Sequence, residues 1–275
     1  MSNETSARKT KGRVLIVAGS DSGGGAGIQA DIKAITALGG FAMTAVTALT
    51  AQNTKGVFGI QPVPAPFIRQ QMELVIDDIG VDAVKVGMLH SAEVIDTVYA
   101  VLQERIPDVP LVVDPVMVAK GGQPLLEEDA MGSMRAWMVL NATVLTPNIP
   151  EAEMLTGMSI GDRDTMEHAA QMLLSLGPKA VLLKGGHMLG EDVIDLLATE
   201  DGTDMYSDPR INTPHTHGTG CTLASALACS IAQGMELKMA VRRARAYVRT
   251  AIESAPGFGA GHGPLNHAHT VRGDA

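Results

Sequence analysis

Val14-Leu15-Ile16-Val17-Ala18 runs directly into Gly19-Ser20-Asp21-Ser22-Gly23-Gly24-Gly25-Ala26-Gly27, and Ile28, Ile32, Ile35 and Leu38 follow at helical spacing. A short apolar run without alternation fits a strand buried on both faces. The glycines end it in a tight loop, and the three-to-four spacing beyond marks a helix. Strand, glycine loop and helix in this order are the first unit of an α/β fold.

The same alternation continues outward. Ala42 to Ala51 reads as a strand, Phe67 to Ile79 as a helix and Ala83 to Val86 as a strand. Ala92 to Arg105 reads as a helix, Leu111 to Val113 and Thr143 to Leu145 as strands, Thr165 to Leu176 as a helix and Ala180 to Lys184 as a strand. Such a sequence predicts a mostly parallel sheet covered on both faces. Asp192 to Ala198 and Asp204 to Ser207, joined through Gly202, break the alternation and read as a small β-hairpin. Two long helices follow, over Thr219 to Gln233 and Leu237 to Ser254. With no repeat and no Pro/Ser-rich linker, residues 13–269 read as one domain and residues 1–12 as a disordered tail.

Composition narrows the class. Hydrophobic residues make up 45% of the 275 and charged residues 19%, enough for a sizeable core; with aromatics at only 3%, aliphatic side chains and 16 Met must fill it. A net charge of −9 argues against a nucleic-acid partner. No run approaches a membrane span, and the apolar Val14–Ala18 segment is too short for a signal peptide. Cys221 and Cys229 are separated by about 12 Å of helix rise, too far to bond each other. A reducing, cytoplasmic location is expected.

In open α/β sheets, ligands sit at the carboxyl ends of the strands. Gly19, Gln52, Met88, Asp114, Asn148 and Gly185 all follow strands. The most informative of these loops is Thr216-His217-Gly218-Thr219-Gly220-Cys221-Thr222, where two glycines open a helix rich in small residues. It reads either as an anion site of free N–H groups at a helix start, with the dipole lowering the Cys221 thiol pKa, or as a tight turn with Cys221 packed as a small apolar residue. Asn148 and Glu151 read either as oxygen ligands suited to Mg²⁺ or as the cap and third residue of a helix. Asp31 sits on the first helix, either at its wet shoulder or turned inward, where it would need a paired donor. Lys184-Gly185-Gly186 at a strand end reads as a phosphate contact or as a plain turn.

Several familiar sites are absent. Gly25-Ala26-Gly27 with Ala30 is a weak dinucleotide fingerprint, and the next strand ends Thr50-Ala51-Gln52-Asn53 without the carboxylate that would hold a ribose. There is no Walker lysine loop and no G-x-S-x-G elbow. The scattered histidines lack the spacing of a structural zinc site.

Taken in order, these segments resemble the hydroxymethylpyrimidine/phosphomethylpyrimidine kinases of thiamin biosynthesis, within the ribokinase-like superfamily. The resemblance rests on Ala18–Asp31, Thr47–Asn53, Lys85–Leu89, Asp114–Met117, Thr146–Asn148 with Glu151, Lys184–His187, His217–Thr222 and Gly261–His267. It implies a three-layer α/β/α fold, a homodimer, and ATP-dependent phosphorylation of a small-molecule pyrimidine and then of its monophosphate. It also implies that Gly19, Asp31, Gln52, Met88 and Val116 line the pyrimidine pocket and that Asn148 and Glu151 are associated with Mg²⁺. Lys184 and Asp114 would face the nucleotide. Gly218, Thr219 and Gly220 would form the anion hole, and Cys221 would be the base. Thr50 stands where relatives often carry an aliphatic residue, which implies a more polar pocket wall. Two alternatives remain open on the same residues: a pyridoxine, pyridoxal or pyridoxamine kinase, and a non-catalytic pyrimidine-binding sensor.

Overall fold

The first strand, β1 (Arg13–Asp21), sends alternate side chains into two separate cores. Leu15 and Val17 join one, and Val14, Ile16 and Ala18 join the other, as a strand's two-residue period requires. The strand is therefore covered on both faces, and its sequence has no room for a polar stripe. The computed structural model describes residues 12–119 and 121–271; apart from Gly12, the expected tail over residues 1–12 lies outside the described residues.

After β1 come α1 (Gly27–Ala37), β2 (Phe41–Asn53), β3 (Gly56–Pro62), α2 (Ala65–Asp78), β4 (Ala83–Val86), α3 (Ala92–Arg105) and β5 (Leu111–Val113). A short helix, α4 (Met131–Ser133), continues as a π-helical stretch over Met134–Val139. The chain goes on with β6 (Val144–Leu145), α5 (Ile149–Thr156), α6 (Arg163–Ser175), β7 (Ala180–Lys184), β8 (Asp192–Thr199), β9 (Gly202–Pro209), α7 (Thr219–Ala232) and α8 (Leu237–Glu253). The nine strands form one sheet in the order β3-β2-β1-β4-β5-β6-β7-β8-β9. The six from β2 to β7 in this order run parallel; β3 at one edge and β8 towards the other run against them, and β9 pairs antiparallel with β8. One face is covered by α2, α3 and α6 through Ile68, Met72, Val98 and Leu173. The other is covered by α1, α7 and α8 through Ile35, Leu227 and Val241.

The expected three-layer architecture and the β8–β9 hairpin are present. Two elements depart from the sequence reading. β2 runs on to Asn53 and turns through Thr54-Lys55 into β3, which the sequence reading left out. β3 is a weak strand on composition, with two glycines and a terminal proline, and of its residues only Val57 is buried. Its pairing with β2, more than its own pattern, makes it a strand. The second departure is the helical passage through Met131–Val139, which buries Met134 and Met138.

Candidate active site

The glycine loops meet at the carboxyl end of the parallel strands. Gly218 has φ +82°, and a Cβ there would collide with the Gly25 carbonyl, so glycine is required for the two loops to touch. The Gly218 carbonyl accepts from Thr222 N (2.9 Å) and Thr222 Oγ1 (2.8 Å), which locks the start of α7. Gly220 and Cys221 lie in the first turn, where backbone N–H groups have no acceptor within the helix.

Around this point lies a cavity of about 690 Å³. Its wall includes Gly19, Gln52, Met88 and Val116, the helix-start residues Gly218, Thr219, Gly220 and Cys221, and the polar residues Asp114, Asn148, Glu151 and Lys184. The sequence-based residues are thus brought together, with one exception. Asp31 is wholly buried and does not line the cavity. Both of its carboxylate oxygens accept from Lys85 Nζ, at 3.0 and 2.9 Å, and Oδ1 also accepts from Ser225 Oγ at 2.7 Å. The pyrimidine-lining assignment of Asp31 is therefore corrected: the side chain turns inward, and the donor its burial demands is Lys85.

The expectation for the Cys221 thiol also changes. The residue is partly exposed, and its free surface opens on the cavity. Desolvation by the surrounding protein pushes the thiol up to about 11, against the opposing pull of Lys85 and of a hydrogen bond from the Gly27 backbone. The helix start alone does not yield a thiolate, because burial outweighs it.

Asp114 Oδ1 accepts from Lys184 Nζ at 2.7 Å and from Thr146 Oγ1 at 3.2 Å. A Cβ on Gly220 would sit 3.2 Å from Lys184 Nζ and 3.6 Å from Asp114 Oδ2, so this ion pair lies directly against the helix start. Asn148 and Glu151 form a capping box on α5: Glu151 N donates to Asn148 Oδ1 (2.9 Å), and Asn148 N donates to Glu151 Oε2 (2.8 Å). The capping reading is realised, and it leaves Glu151 Oε1 outside the box. Burial raises the Glu151 carboxyl to about 7, with Lys184 pulling the other way. Among the described residues, no three or more His, Cys, Asp and Glu side chains converge to hold a metal ion by themselves. Asp114 and Glu151 nevertheless fit Mg²⁺, which takes one or two carboxylates and completes its shell with water and phosphate oxygens.

Other residues enter the site without an earlier role. Asp21 accepts from the backbone N–H groups of Gly23, Gly25 and Ala26 and lies 2.9 Å from His217 Nε2, which is also 3.1 Å from Gln52 Nε2. Asp195 accepts from Gly185 N at 2.9 Å and is paired with Arg245, which fixes the loop after Lys184. Thr50 turns its hydroxyl to the Ser20 carbonyl at 2.8 Å, so it adds little free polarity to the wall. One signal for Lys85 was present in the sequence: a lysine inside an apolar strand, Ala83-Val84-Lys85-Val86, requires a buried counter-charge.

A parallel sheet with an acceptor-sized pocket, a glycine-opened helix and a lysine–carboxylate cluster in one cavity defines a ribokinase-like small-molecule kinase. A profile of the phosphomethylpyrimidine kinase family matches residues 21–266, and the chain belongs to that family. It is 49% identical over 254 residues to a hydroxymethylpyrimidine/phosphomethylpyrimidine kinase of Streptomyces coelicolor, covering 92% of this chain and 93% of that protein. It is 51% identical over 257 residues to a thiamine biosynthesis bifunctional protein of Geobacter sulfurreducens, covering 94% of this chain and 52% of that protein; the chain thus spans about half of this longer relative. Among solved structures, the phosphomethylpyrimidine kinase of Clostridium difficile 630 is similar with a TM-score of 0.78 and 42% identity, over 88% of this chain and 100% of that one. A pyridoxal kinase of Staphylococcus aureus in complex with AMP-PCP and pyridoxal has a TM-score of 0.87 and 31% identity, over 95% of each chain. The kinase reading stands on this membership, and the sensor alternative falls. Among the described residues, no helix is long and apolar enough to cross a membrane.

Proposed function

We propose that this chain transfers the γ-phosphoryl group of ATP to the hydroxymethyl group of 4-amino-5-hydroxymethyl-2-methylpyrimidine, and then a second one to the resulting monophosphate, as a step of thiamin biosynthesis. The observation that carries this reading is the continuity of the cavity. Gln52, Met88, Cys221 and the Asp114–Lys184 pair all line one space, and the pair lies against the helix start that carries Cys221.

Gln52 offers a donor and an acceptor to the amino and ring-nitrogen edge of the pyrimidine, and Gly19, Met88 and Val116 flank the ring. Cys221 Sγ takes the hydroxymethyl proton as the oxygen attacks phosphorus. The N–H groups of Gly218, Thr219 and Gly220 face the transferring phosphoryl oxygens, where charge accumulates. Lys184, held by Asp114, contacts the phosphates as a fixed cation. The apolar surface of Leu223, Val248 and Ile252 farther along the cavity suits the adenine ring. Asp114, Asn148 and Glu151 would hold Mg²⁺ directly or through water. The ion, when bound, neutralises phosphate charge. A likeness to a pyridoxal kinase that takes AMP-PCP supports ATP as donor. We read residues 13–269 as one domain acting in the cytoplasm as a homodimer, in line with the resemblance.

The direct test is ATP consumption by purified protein with the pyrimidine, with its monophosphate and with pyridoxine. Turnover of the first two supports the reading. Turnover of the pyrimidine but not its monophosphate removes the second step alone.

A further inference from the structure

In the cavity wall lies a charged group that the proposed reaction steps do not use. Lys85 is wholly buried in the middle of the sheet, on β4, yet it lines the cavity. Its Nζ is bound to both oxygens of Asp31 on α1. Asp31 is in turn held by Ser225, one helical turn after Cys221 on α7. The cluster therefore ties β4, α1 and α7 together one helical turn from the thiol. A Cβ on Gly87 would lie 2.9 Å from Nζ, so the chain leaves space around the ammonium.

We infer that Lys85 is a positioning residue whose buried charge supports the Cys221 thiolate, and that it matters for phosphorylation of the alcohol but not of the phosphate monoester. This inference rests on Cys221 being the base. In the first reaction, the hydroxymethyl O–H bond breaks and its proton moves to Sγ. The oxygen bonds to the γ-phosphorus, the bond to the β,γ-bridging oxygen breaks, and ADP leaves; the thiol later returns its proton to solvent. In the second reaction, the attacking oxygen belongs to a phosphate monoester, which above its second pKa of about 6 carries no proton to remove. The base, and whatever sustains it, has no work in that step.

The charges facing Cys221 are Lys85 from β4, Asp31 from α1, Asp114 after β5 and Lys184 from the end of β7, and the Gly27 backbone also favours the thiolate. Lys85 exerts the largest of the charge effects on the thiol, and Asp31 opposes it. Burial works to neutralise Lys85, but attraction to the Asp31 and Asp114 carboxylates outweighs it and keeps the lysine charged.

The test compares Lys85→Met, Asp31→Asn and the double variant, which leaves no orphaned charge and guards against misfolding of the single ones. The first readout is the rate at which iodoacetamide alkylates Cys221 at pH 8, located by peptide mass. Lys85→Met should slow it about tenfold, Asp31→Asn should speed it, and the double variant should fall between. Turnover is the second readout. Lys85→Met should cut the alcohol step about tenfold or more and leave the monophosphate step within about threefold. Faster alkylation in both single variants would show that they merely loosen the site, which overturns the inference. So would equal loss of both steps, or an unchanged alkylation rate. Failure of the base reading shows separately, as full alcohol-step turnover in Cys221→Ala.

Discussion

His217 Nε2 lies 2.9 Å from Asp21 Oδ2, so residues 196 positions apart join the N-terminal glycine loop to the loop that opens α7. Although burial pushes the other way, the bonds from His217, Ala26 and Gly23 hold the Asp21 carboxyl below its usual range. His217 Nε2 also lies 3.1 Å from Gln52 Nε2, so one imidazole touches the proposed recognition residue and directly precedes the proposed anion hole. Asp21→Asn keeps the shape of the loop but removes its charge. Loss of one charge-assisted bond, about 1.5–3 kcal/mol, should lower kcat/KM for the pyrimidine by roughly 10- to 150-fold. An unchanged steady-state kcat/KM would reduce this pair to a loop fastening with no bearing on turnover.

Cys221→Ala should leave ATP binding nearly intact and reduce alcohol phosphorylation by roughly 10²–10⁴-fold, the usual weight of a general base. The thiol, raised to about 11, is mostly protonated near neutrality. The alcohol step in the unaltered enzyme should therefore speed up as pH rises toward that value, by up to about tenfold per unit. A flat pH profile, with turnover in the alanine variant near that of the parent, would remove Cys221 from the role.

Glu151→Gln keeps a side chain able to complete the cap on α5 but removes its charge. If Glu151 only caps the helix, stability falls slightly and kinetics hold. The placement of Glu151 and Asp114 beside Lys184 predicts instead that the Mg²⁺ concentration for half-maximal rate rises severalfold. A Mg²⁺ titration that overlays the parent's would leave the cap as the whole account.

Acid should weaken the fold through His267. This ring is buried, with Nε2 2.9 Å from Thr222 Oγ1, and burial lowers its pKa from 6.5 to about 4. The unfolded chain binds the proton first, so stability is present above about pH 6.5 and is lost as pH falls from there toward about 4. The group should account for a loss of about 2 kcal/mol between pH 7 and pH 5. Urea midpoints for the parent and His267→Gln at both pH values isolate this share. Equal pH dependence in the two proteins would rule it out.

The layered architecture was legible because β1, β4, β5 and β7 are apolar runs and the helices between them keep their spacing. β3 was not legible, since its strand character comes from pairing with β2 rather than from its own residues. In the site, the loop residues were readable as loop residues: Gly218 and Gly220 sit where a helix start and a close ion pair demand them. Side-chain direction was not readable. Asp31 shares a helical face with Ile28 and Ile35, and only the position of Lys85 on a neighbouring strand shows that it points inward. Which of the two readings of Cys221 holds was not readable for a related reason. A helix start is visible in sequence, but the burial that outweighs it depends on elements far apart in the chain.

In the proposed reaction, the choice of substrate is assigned to Gln52. Its Nε2 lies 3.1 Å from His217 Nε2 and its Oε1 3.2 Å from the Thr50 hydroxyl oxygen, and these contacts seat the amide in the cavity wall. A 4-aminopyrimidine presents a donor and a ring acceptor on one edge, which matches an amide; pyridoxine presents a phenolic oxygen and a methyl group there. With Asp31 turned away from the cavity, the proposed discrimination is assigned to Gln52. A buried polar group left without its match costs about 1–3 kcal/mol, or roughly 5- to 150-fold. The pyrimidine should therefore be preferred over pyridoxine by at least about tenfold in kcat/KM. Gln52→Leu should shrink that preference mainly by harming the pyrimidine, since pyridoxine gains little from the amide. Both ratios come from one set of ATP-consumption assays on the parent and the variant. Equal or better use of pyridoxine by the parent would overturn the pyrimidine assignment while leaving the kinase fold intact. A preference that survives Gln52→Leu unchanged would move recognition to the Met88 and Val116 side of the pocket.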